Sequence, residues 1–188
     1  MMMTNGTSMG RTVLVTIGAG LVATVVAALA IAYSGVVNVG ATHEPPRPLT
    51  WFLTTTREHS VAAHASSITV PSLDAAEMRK VGAAHFQEMC VDCHGAPGVS
   101  PGEAAQGLEP PAPKLYEGPQ VKDDDAREMF WIVKNGIQMT GMPSFGKTHD
   151  DQKIWAIVAF VKQMRGMSPE QYKKLADGLA KDAKDDHG

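Results

Sequence analysis

Cysteine is scarce in this sequence, and its scarcity excludes several kinds of protein. Only two cysteines occur among the 188 residues, Cys90 and Cys93. A disulfide between them would close a very small loop and would stabilise the fold little. A tetrahedral zinc site needs four ligands, and no second cysteine pair is present to complete one. The sequence is therefore neither a disulfide framework nor a cysteine-rich zinc module.

Surplus basic charge and strand-like patterning are missing as well. The formal net charge is −3, so no excess of Lys and Arg points to nucleic acid as a partner. We find no internal repeat and no apolar/polar alternation of the kind that predicts β-strands, so the sequence predicts an all-α protein. A redox-active C-x-x-C of the thioredoxin type needs a βαβ context, which the sequence also lacks.

Charged residues are rare in the first part of the chain. Only five precede Ser72, whereas 14 Lys or Arg and 18 Asp or Glu follow it. Within this part, the 21 residues from Val13 to Tyr33 carry no charge. A helix of that length is roughly 32 Å long, which matches a hydrocarbon core of about 30 Å. We expect a transmembrane anchor here, although the small residues Ala28 and Ala30 leave open its cleavage as a signal peptide.

The composition of the chain divides it into five segments. Glycine and proline mark a connector after the span, and a helix begun by Pro48 is expected from Leu49 to Ala65, either along the membrane surface or covering one side of the following domain. The segments are a short tail (1–12), the anchor (13–33), the connector with its juxtamembrane helix (34–71), a globular domain (72–167) and a helical C-terminal tail (168–188).

Helix start signals recur in the globular domain. Ser72 is a predicted N-cap for its first helix, and Thr148 with Asp151 resembles a capping pair for its last one. A middle helix is expected over 123–134, and Ser168 is expected to begin the polar helix of the C-terminal tail.

The two cysteines and the histidine that follows them form the pattern C-x-x-C-H. Cys90 and Cys93 are about one helical turn apart, so both thiols face one side and can add across the vinyl groups of a porphyrin. His94 follows directly and can ligate the iron. This pattern is typical of covalent haem attachment, and it predicts one haem c held by these three residues.

A second axial ligand is expected from the loop after the middle helix. Methionine would complete a His/Met pair, which raises the reduction potential in electron carriers. Met139 and Met142 are both candidates. Pro143 fixes the chain beside Met142, and Gly141 allows close approach of the backbone. These neighbours favour Met142, with Met139 as the alternative.

Residues 75–165 resemble a class I cytochrome c domain. Gly82 and Phe86, four residues apart, lead into the first cysteine of the haem motif as in that family. On the last helix of the domain, Ile157 and Phe160 match the aliphatic and aromatic pair with which the family's terminal helices cross. The resemblance implies an all-α cytochrome c domain, and the uncharged run from Val13 to Tyr33 predicts a single transmembrane helix before it.

The resemblance also implies roles around the haem. The family's Pro-x-Leu segment bordering the haem appears as Pro113 and Leu115, and its methionine loop matches GMPSFG, which contains Met142 as ligand. In the family, the proline carbonyl accepts a hydrogen bond from the iron-bound histidine, which is His94 in this sequence. Such a bond orients the imidazole and tunes the iron.

More loosely, the segment after the span resembles membrane-anchored, single-haem cytochromes of proteobacterial respiratory chains. That likeness implies an electron carrier rather than an enzyme, with its haem domain on the periplasmic face of the cytoplasmic membrane and with redox proteins as partners. Two alternatives stay open. One is a fixed haem subunit of a larger respiratory or dehydrogenase complex, and the other is an enzyme or gas sensor in which Met142 does not hold the iron.

Overall fold

The structure is a computed structural model that describes the backbone of residues 6–185 and the side chains of residues 9–180. In this range the chain forms helices and loops without a β-strand, which confirms the all-α class. The ends of the predicted tails, residues 1–5 and 186–188, lie outside the described residues. The helices are α1 (Gly6–Ser34), α2 (Arg47–Ala65), α3 (Ala76–Met89), α4 (Val91–His94), α5 (Asp123–Asn135), α6 (Asp151–Met164) and α7 (Pro169–Asp185), with 3₁₀ turns at Ala104–Gly107 and Phe145–Lys147.

The chain divides into two compact units, of which the first ends at His43 and the second begins at Glu44. The first unit is built around α1, whose segment from Met9 to Ser34 is long and apolar enough to cross a membrane. Every described side chain of this helix is exposed within the protein itself. The predicted N-terminal apolar helix is therefore present.

In the second unit, α2 covers one side of the helical domain. Its C-terminal half buries Val61 and Ala65, and the ring of His64 lies 5.6 Å from that of Trp131 on α5. Arg127 of α5 donates from Nη1 to the carbonyl of Ser66 at 3.3 Å. One of the two positions expected for this helix, packing on the domain, is present in the structure. The compact unit thus includes a helix that the sequence placed in the connector.

The crossing of α3 and α6 is the centre of the core. A Cβ added at Gly82 would lie 1.8 Å from the carbonyl oxygen of Ala156, so the two backbones touch where only glycine fits. Beside this contact, the rings of Phe86 and Phe160 lie 5.4 Å apart. Every residue of α6 from Ile154 to Val161 is buried. Close backbone contact and aromatic packing therefore fix the angle at which α3 presents its C-terminal end.

Helix α7 is part of the core, although the sequence placed it in a tail. Tyr172 is only 2% exposed, and its hydroxyl donates to Oε1 of Gln87 on α3 at 2.7 Å. The predicted start of this helix is confirmed, because Ser168 and Gln171 exchange hydrogen bonds at 2.7 and 3.3 Å.

Two other predicted helix starts are wrong. Helix α3 begins at Ala76 and not at Ser72, because the chain before it stays extended and buries Leu73. At α6 the N-cap is Asp150, whose Oδ1 accepts from the backbone N–H of Lys153 at 2.9 Å. Thr148 cannot serve there, since it ends the preceding 3₁₀ turn and its hydroxyl lies 2.8 Å from Nδ1 of His149.

Candidate haem site

The C-x-x-C-H residues lie on a single helical turn that continues from α3. Backbone N–H groups of Cys93 and His94 both donate to the carbonyl of Cys90, at 3.1 and 2.9 Å. Cys90 is buried, Cys93 is half-buried, and both thiols are free. One turn of backbone therefore brings together the two thiols and the imidazole, as the sequence predicts.

Gly95 ends this turn and sends the chain away from it. Its φ is +64°, and an added Cβ would lie 2.7 Å from the carbonyl oxygen of Val99. A side chain at this position would be strained and would also clash, so glycine is required. The reversal is closed by two backbone hydrogen bonds between Ala96 and Val99, at 3.0 and 2.8 Å.

His94 is oriented by a backbone carbonyl far along the chain. Its Nδ1 lies 2.7 Å from the carbonyl oxygen of Pro113. A carbonyl can only accept, so Nδ1 carries the hydrogen and Nε2 keeps its lone pair for a metal. Burial lowers the pKa of His94, with the Pro113 bond acting in the opposite direction, and so favours the neutral imidazole that metal ligation requires.

The segment that contains Pro113 is tied to the end of α6 by Arg165. Nε of Arg165 donates to the carbonyl of Leu115 at 3.0 Å, and Nη1 donates to that of Pro119 at 2.7 Å. Leu115 itself is half-buried and packs against the core. Sequence reasoning did not identify Arg165, because its acceptors are backbone carbonyls and these have no signature in a sequence.

Cys90 has the chemistry of an unreactive thiol in this fold. Burial, with a smaller contribution from Cys93, raises the pKa of the Cys90 thiol to about 12. Dithiol oxidoreductases need the opposite, a thiolate stabilised near neutral pH. The C-x-x-C pair is thus poorly suited to thiol exchange, which agrees with the helical context.

Met142 lies in a loop that packs against the end of α5. Hydrogen bonds and a close backbone contact at a glycine hold it there. The backbone N–H of Ile137 donates to the Met142 carbonyl at 3.1 Å, and the hydroxyl of Thr140 accepts from the Met142 N–H at 3.2 Å. Gly136 has a φ of +70°, and a Cβ added there would lie 2.8 Å from the Met142 carbonyl oxygen. Ser144 then donates to the carbonyl of Lys134 at 2.8 Å.

The two candidate methionines differ sharply in their surroundings. Met142 is half-buried and packs against the hydrophobic core. Met139 is 98% exposed and has a φ of 59°, the left-handed conformation that non-glycine residues rarely adopt. Gly141, expected to permit a close backbone approach, meets the side chain of Leu108, whose Cδ2 would lie 2.6 Å from an added Cβ.

The donor set fits haem c. Two unpaired thiols lie on one turn, an imidazole has Nδ1 bonded and Nε2 free, and a thioether stands on a separate, ordered loop. Among the described residues, no group of three or more His, Cys, Asp or Glu side chains could hold a metal ion. The protein therefore provides the attachment points of a c-type haem and lacks, over the described range, those of a zinc or carboxylate site.

Comparison with known proteins agrees with this geometry. The family model described as cytochrome c oxidase, cbb3-type, subunit III matches residues 77–161, which run from α3 to α6 and include every predicted site residue. The match leaves α1, α2 and α7 outside, and no curated protein matches the chain. The chain thus contains a class I cytochrome c domain with covalently attached haem c, preceded by one N-terminal helix apolar enough to cross a membrane.

Proposed function

We propose that this protein carries electrons through a haem ligated by His94 and Met142, on the periplasmic face of the cytoplasmic membrane. The observation that carries the proposal is the 2.7 Å bond between Nδ1 of His94 and the Pro113 carbonyl, because it leaves Nε2 as the ring nitrogen of His94 that can bind iron. The half-buried Met142 supports the second ligand. Redox proteins are the partners that such chemistry requires.

When bound, the haem supplies an iron that gains and loses one electron. Cys90 and Cys93 would fix its position, Pro113 would orient His94 through the bond that it accepts, and Leu115 would border the ring. His94 and Met142 together would hold the iron and leave no ligand position for a substrate, so the protein would act as a carrier and not as an enzyme. The hydrogen bonds of the loop around Met142 would keep rearrangement small when the charge of the iron changes.

The proposed location follows from α1 and from the haem. Haem c is attached on the outer face of bacterial membranes, as the family resemblance implies, so the domain belongs on that side. A single-pass anchor would confine the carrier to the membrane surface and raise its effective concentration near membrane-bound partners. The N-terminal apolar helix supports this anchoring.

Replacing each methionine in turn tests the ligand assignment. In Met142→Ala, we expect a lower reduction potential and binding of carbon monoxide by the reduced protein, with the haem still covalently attached. Met139→Ala is the matched control and should keep the potential and the spectrum of the parent. A parent protein that binds carbon monoxide rapidly when reduced would contradict the proposal and favour a gas sensor or an enzyme.

A second candidate function is a fixed haem subunit of a respiratory complex. It is favoured by the matching family, whose description names a subunit of a cytochrome c oxidase. Gentle detergent extraction separates the two functions. A carrier should be isolated alone, whereas a subunit should co-migrate with its complex.

A further inference from the structure

Large apolar side chains are exposed in one part of the chain and almost nowhere else. Among the described residues, the large apolar side chains that are more than about a third exposed are concentrated between Met9 and Leu53. Beyond Leu53, the described domain exposes only Val81, Val99 and Met139 to that extent. The exposed set extends past α1 and the connector into the first turns of α2, which belongs to the folded domain. Exposed apolar side chains on a helix of the folded domain indicate that a partner covers them.

The two sides of α2 have different surroundings. Val61 and Ala65 are buried where the helix contacts α5. Leu49, Phe52 and Leu53 follow the i, i+3, i+4 spacing of one helix face and are 46%, 58% and 54% exposed. At 100° per residue, that face points about 150° away from the buried one. The helix is thus packed on the domain along one side and leaves an apolar surface on the other.

This apolar surface carries little that water would solvate strongly. No charged residue occurs between Arg47 and Arg57. The hydroxyl of Thr56 donates to the carbonyl of Phe52 at 2.8 Å, and the hydroxyl of Thr50 lies 3.4 Å from the carbonyl of Pro45. A hydroxyl that already donates to a backbone carbonyl loses little hydrogen-bonding free energy when it leaves water. Transfer of this face into an apolar environment therefore costs little free energy.

We propose that the first half of α2, from Leu49 to Thr56, lies in the interfacial layer of the membrane. The inference rests on the anchoring in the proposed function and goes beyond it. Trp51 of the same segment is 69% exposed, and tryptophan is enriched at membrane interfaces. Arg47 and Arg57 bracket the segment and suit anionic lipid headgroups.

The chain before α2 supports lipid as the occupant, and not a protein. Between Arg11 and Glu44 no residue is charged, and Val36, Val37 and Val39 of the connector are exposed as well. The connector from Gly35 to Pro46 is short enough to keep α2 within about 40 Å of the end of α1. A stretch without charge up to Glu44, followed by an apolar helix face, is what a membrane surface binds.

Because the opposite side of α2 packs on α5, a bound α2 would hold the domain itself at the lipid surface. The cytochrome domain would then have a fixed orientation on the membrane, and it would not swing on a loose connector.

Spin labelling of the full-length protein with its haem tests the proposal. The two native cysteines are used by the haem, so a single introduced cysteine can carry a nitroxide. We choose Phe52→Cys on the apolar face, Ala62→Cys on an exposed side of the same helix as the matched control, and Val25→Cys within α1. The proteins are placed in nanodiscs of phosphatidylethanolamine and phosphatidylglycerol, and collision rates with oxygen and with a water-soluble nickel chelate are measured.

The ratio of oxygen to nickel collisions should be high at position 25, and it should be several-fold higher at position 52 than at position 62. A label at 52 that is as open to nickel as the label at 62 would overturn the inference, while a high ratio at 25 would leave the anchor standing. A low ratio at 25 would overturn the anchor and this inference together. If position 52 is shielded in native membranes but not in lipid nanodiscs, a protein partner covers this face and the proposal of lipid is wrong. An unchanged haem spectrum in each variant verifies the fold.

Discussion

The two sides of the haem site are built by different means. The C-x-x-C-H turn is an extension of regular helix, and α3 is fixed by its backbone contact with α6 at Gly82. The loop of Met142 is irregular and is held by hydroxyl-to-backbone bonds from Thr140 and Ser144 and by Gly136 in a left-handed conformation. One side is fixed by the crossing of two helices, whereas the other is held by hydrogen bonds at the end of α5 and by the packing of Met142 against the core.

This difference predicts separate modes of failure. Single hydrogen bonds contribute about 1 kcal/mol each, so the Met142 loop can open locally at a free-energy cost well below that of global unfolding. The turn that carries His94 can loosen only if the α3–α6 core does. Variants on the helical side should therefore lower global stability, and variants in the loop should mainly expose the iron.

The largest effect is expected from Gly82→Ala. A Cβ at this position would lie 1.8 Å from the Ala156 carbonyl, so the two helices must separate. Overpacking of this kind costs about 3 kcal/mol, and we expect the urea midpoint of the haem-bound protein to fall accordingly. The matched control is Gly178→Ala on α7, which has open space around it and should gain about 0.5–1 kcal/mol. Equal midpoints for the two variants would contradict the tight crossing.

A smaller and more local effect is expected from Gly136→Ala. The change places a side chain at a φ of +70° and against the Met142 carbonyl, and such strain costs about 1–3 kcal/mol. If Met142 holds the iron, imidazole should bind the oxidised protein about five- to 150-fold more tightly, since 1.4 kcal/mol corresponds to tenfold. Covalent haem attachment should be unchanged. Unaltered imidazole affinity would argue against a ligand role for this loop.

Ser144→Ala should act in the same direction and less strongly. It removes the 2.8 Å bond to the Lys134 carbonyl, whose net contribution is about 1 kcal/mol. Imidazole affinity should rise about fivefold, as measured by optical titration. Ser100→Ala, in an exposed loop, serves as the control and should leave the affinity as it is. A stronger effect at Ser100 than at Ser144 would refute the comparison.

The smallest effect concerns pH and a pair of histidines, one on α3 and one just before α6. His85 on α3 and His149 before α6 have ring centroids 5.2 Å apart. Burial, and next the nearby His149, lower the pKa of His85 from its ordinary value of 6.5, while Glu88 and Asp150 raise it and Lys153 lowers it further. Just below pH 6.5, His85 binds a proton in the unfolded chain but not in the native protein. The free energy of unfolding therefore falls as the pH decreases through this range.

We therefore expect the free energy of unfolding of the parent to fall more than that of His85→Gln as the pH decreases through 6.5. Urea titrations above and below this pH measure the difference. Parallel curves for the two proteins would show that His85 does not contribute.

Local patterns predicted much of this molecule. The haem motif, the extent of α5 and the buried stripe of α6 follow from residues close together in sequence, where spacing alone fixes which side chains share a face. The choice of Met142 over Met139 as the second ligand stays a prediction, and the half-buried position of Met142 beside the 98% exposed Met139 supports it.

Long-range contacts were harder to predict. Arg165 binds carbonyls of a distant loop, and the Ser72 cap was overridden by burial of Leu73. The role of α7 was missed although a signal was present, since Tyr172, Leu175, Ala176 and Leu179 recur at helical spacing. A polar composition concealed this stripe, and nothing local shows that its partner is α3.

The burial of Cys90 has a consequence for how the protein matures. In the folded domain, burial raises the pKa of the Cys90 thiol to about 12, so little of the nucleophilic thiolate is present near neutral pH. A chain that emerges N-terminus first presents Cys90 and Cys93 before α6 and α7 have been made. We therefore expect the thiols to add to haem most easily before the domain has folded.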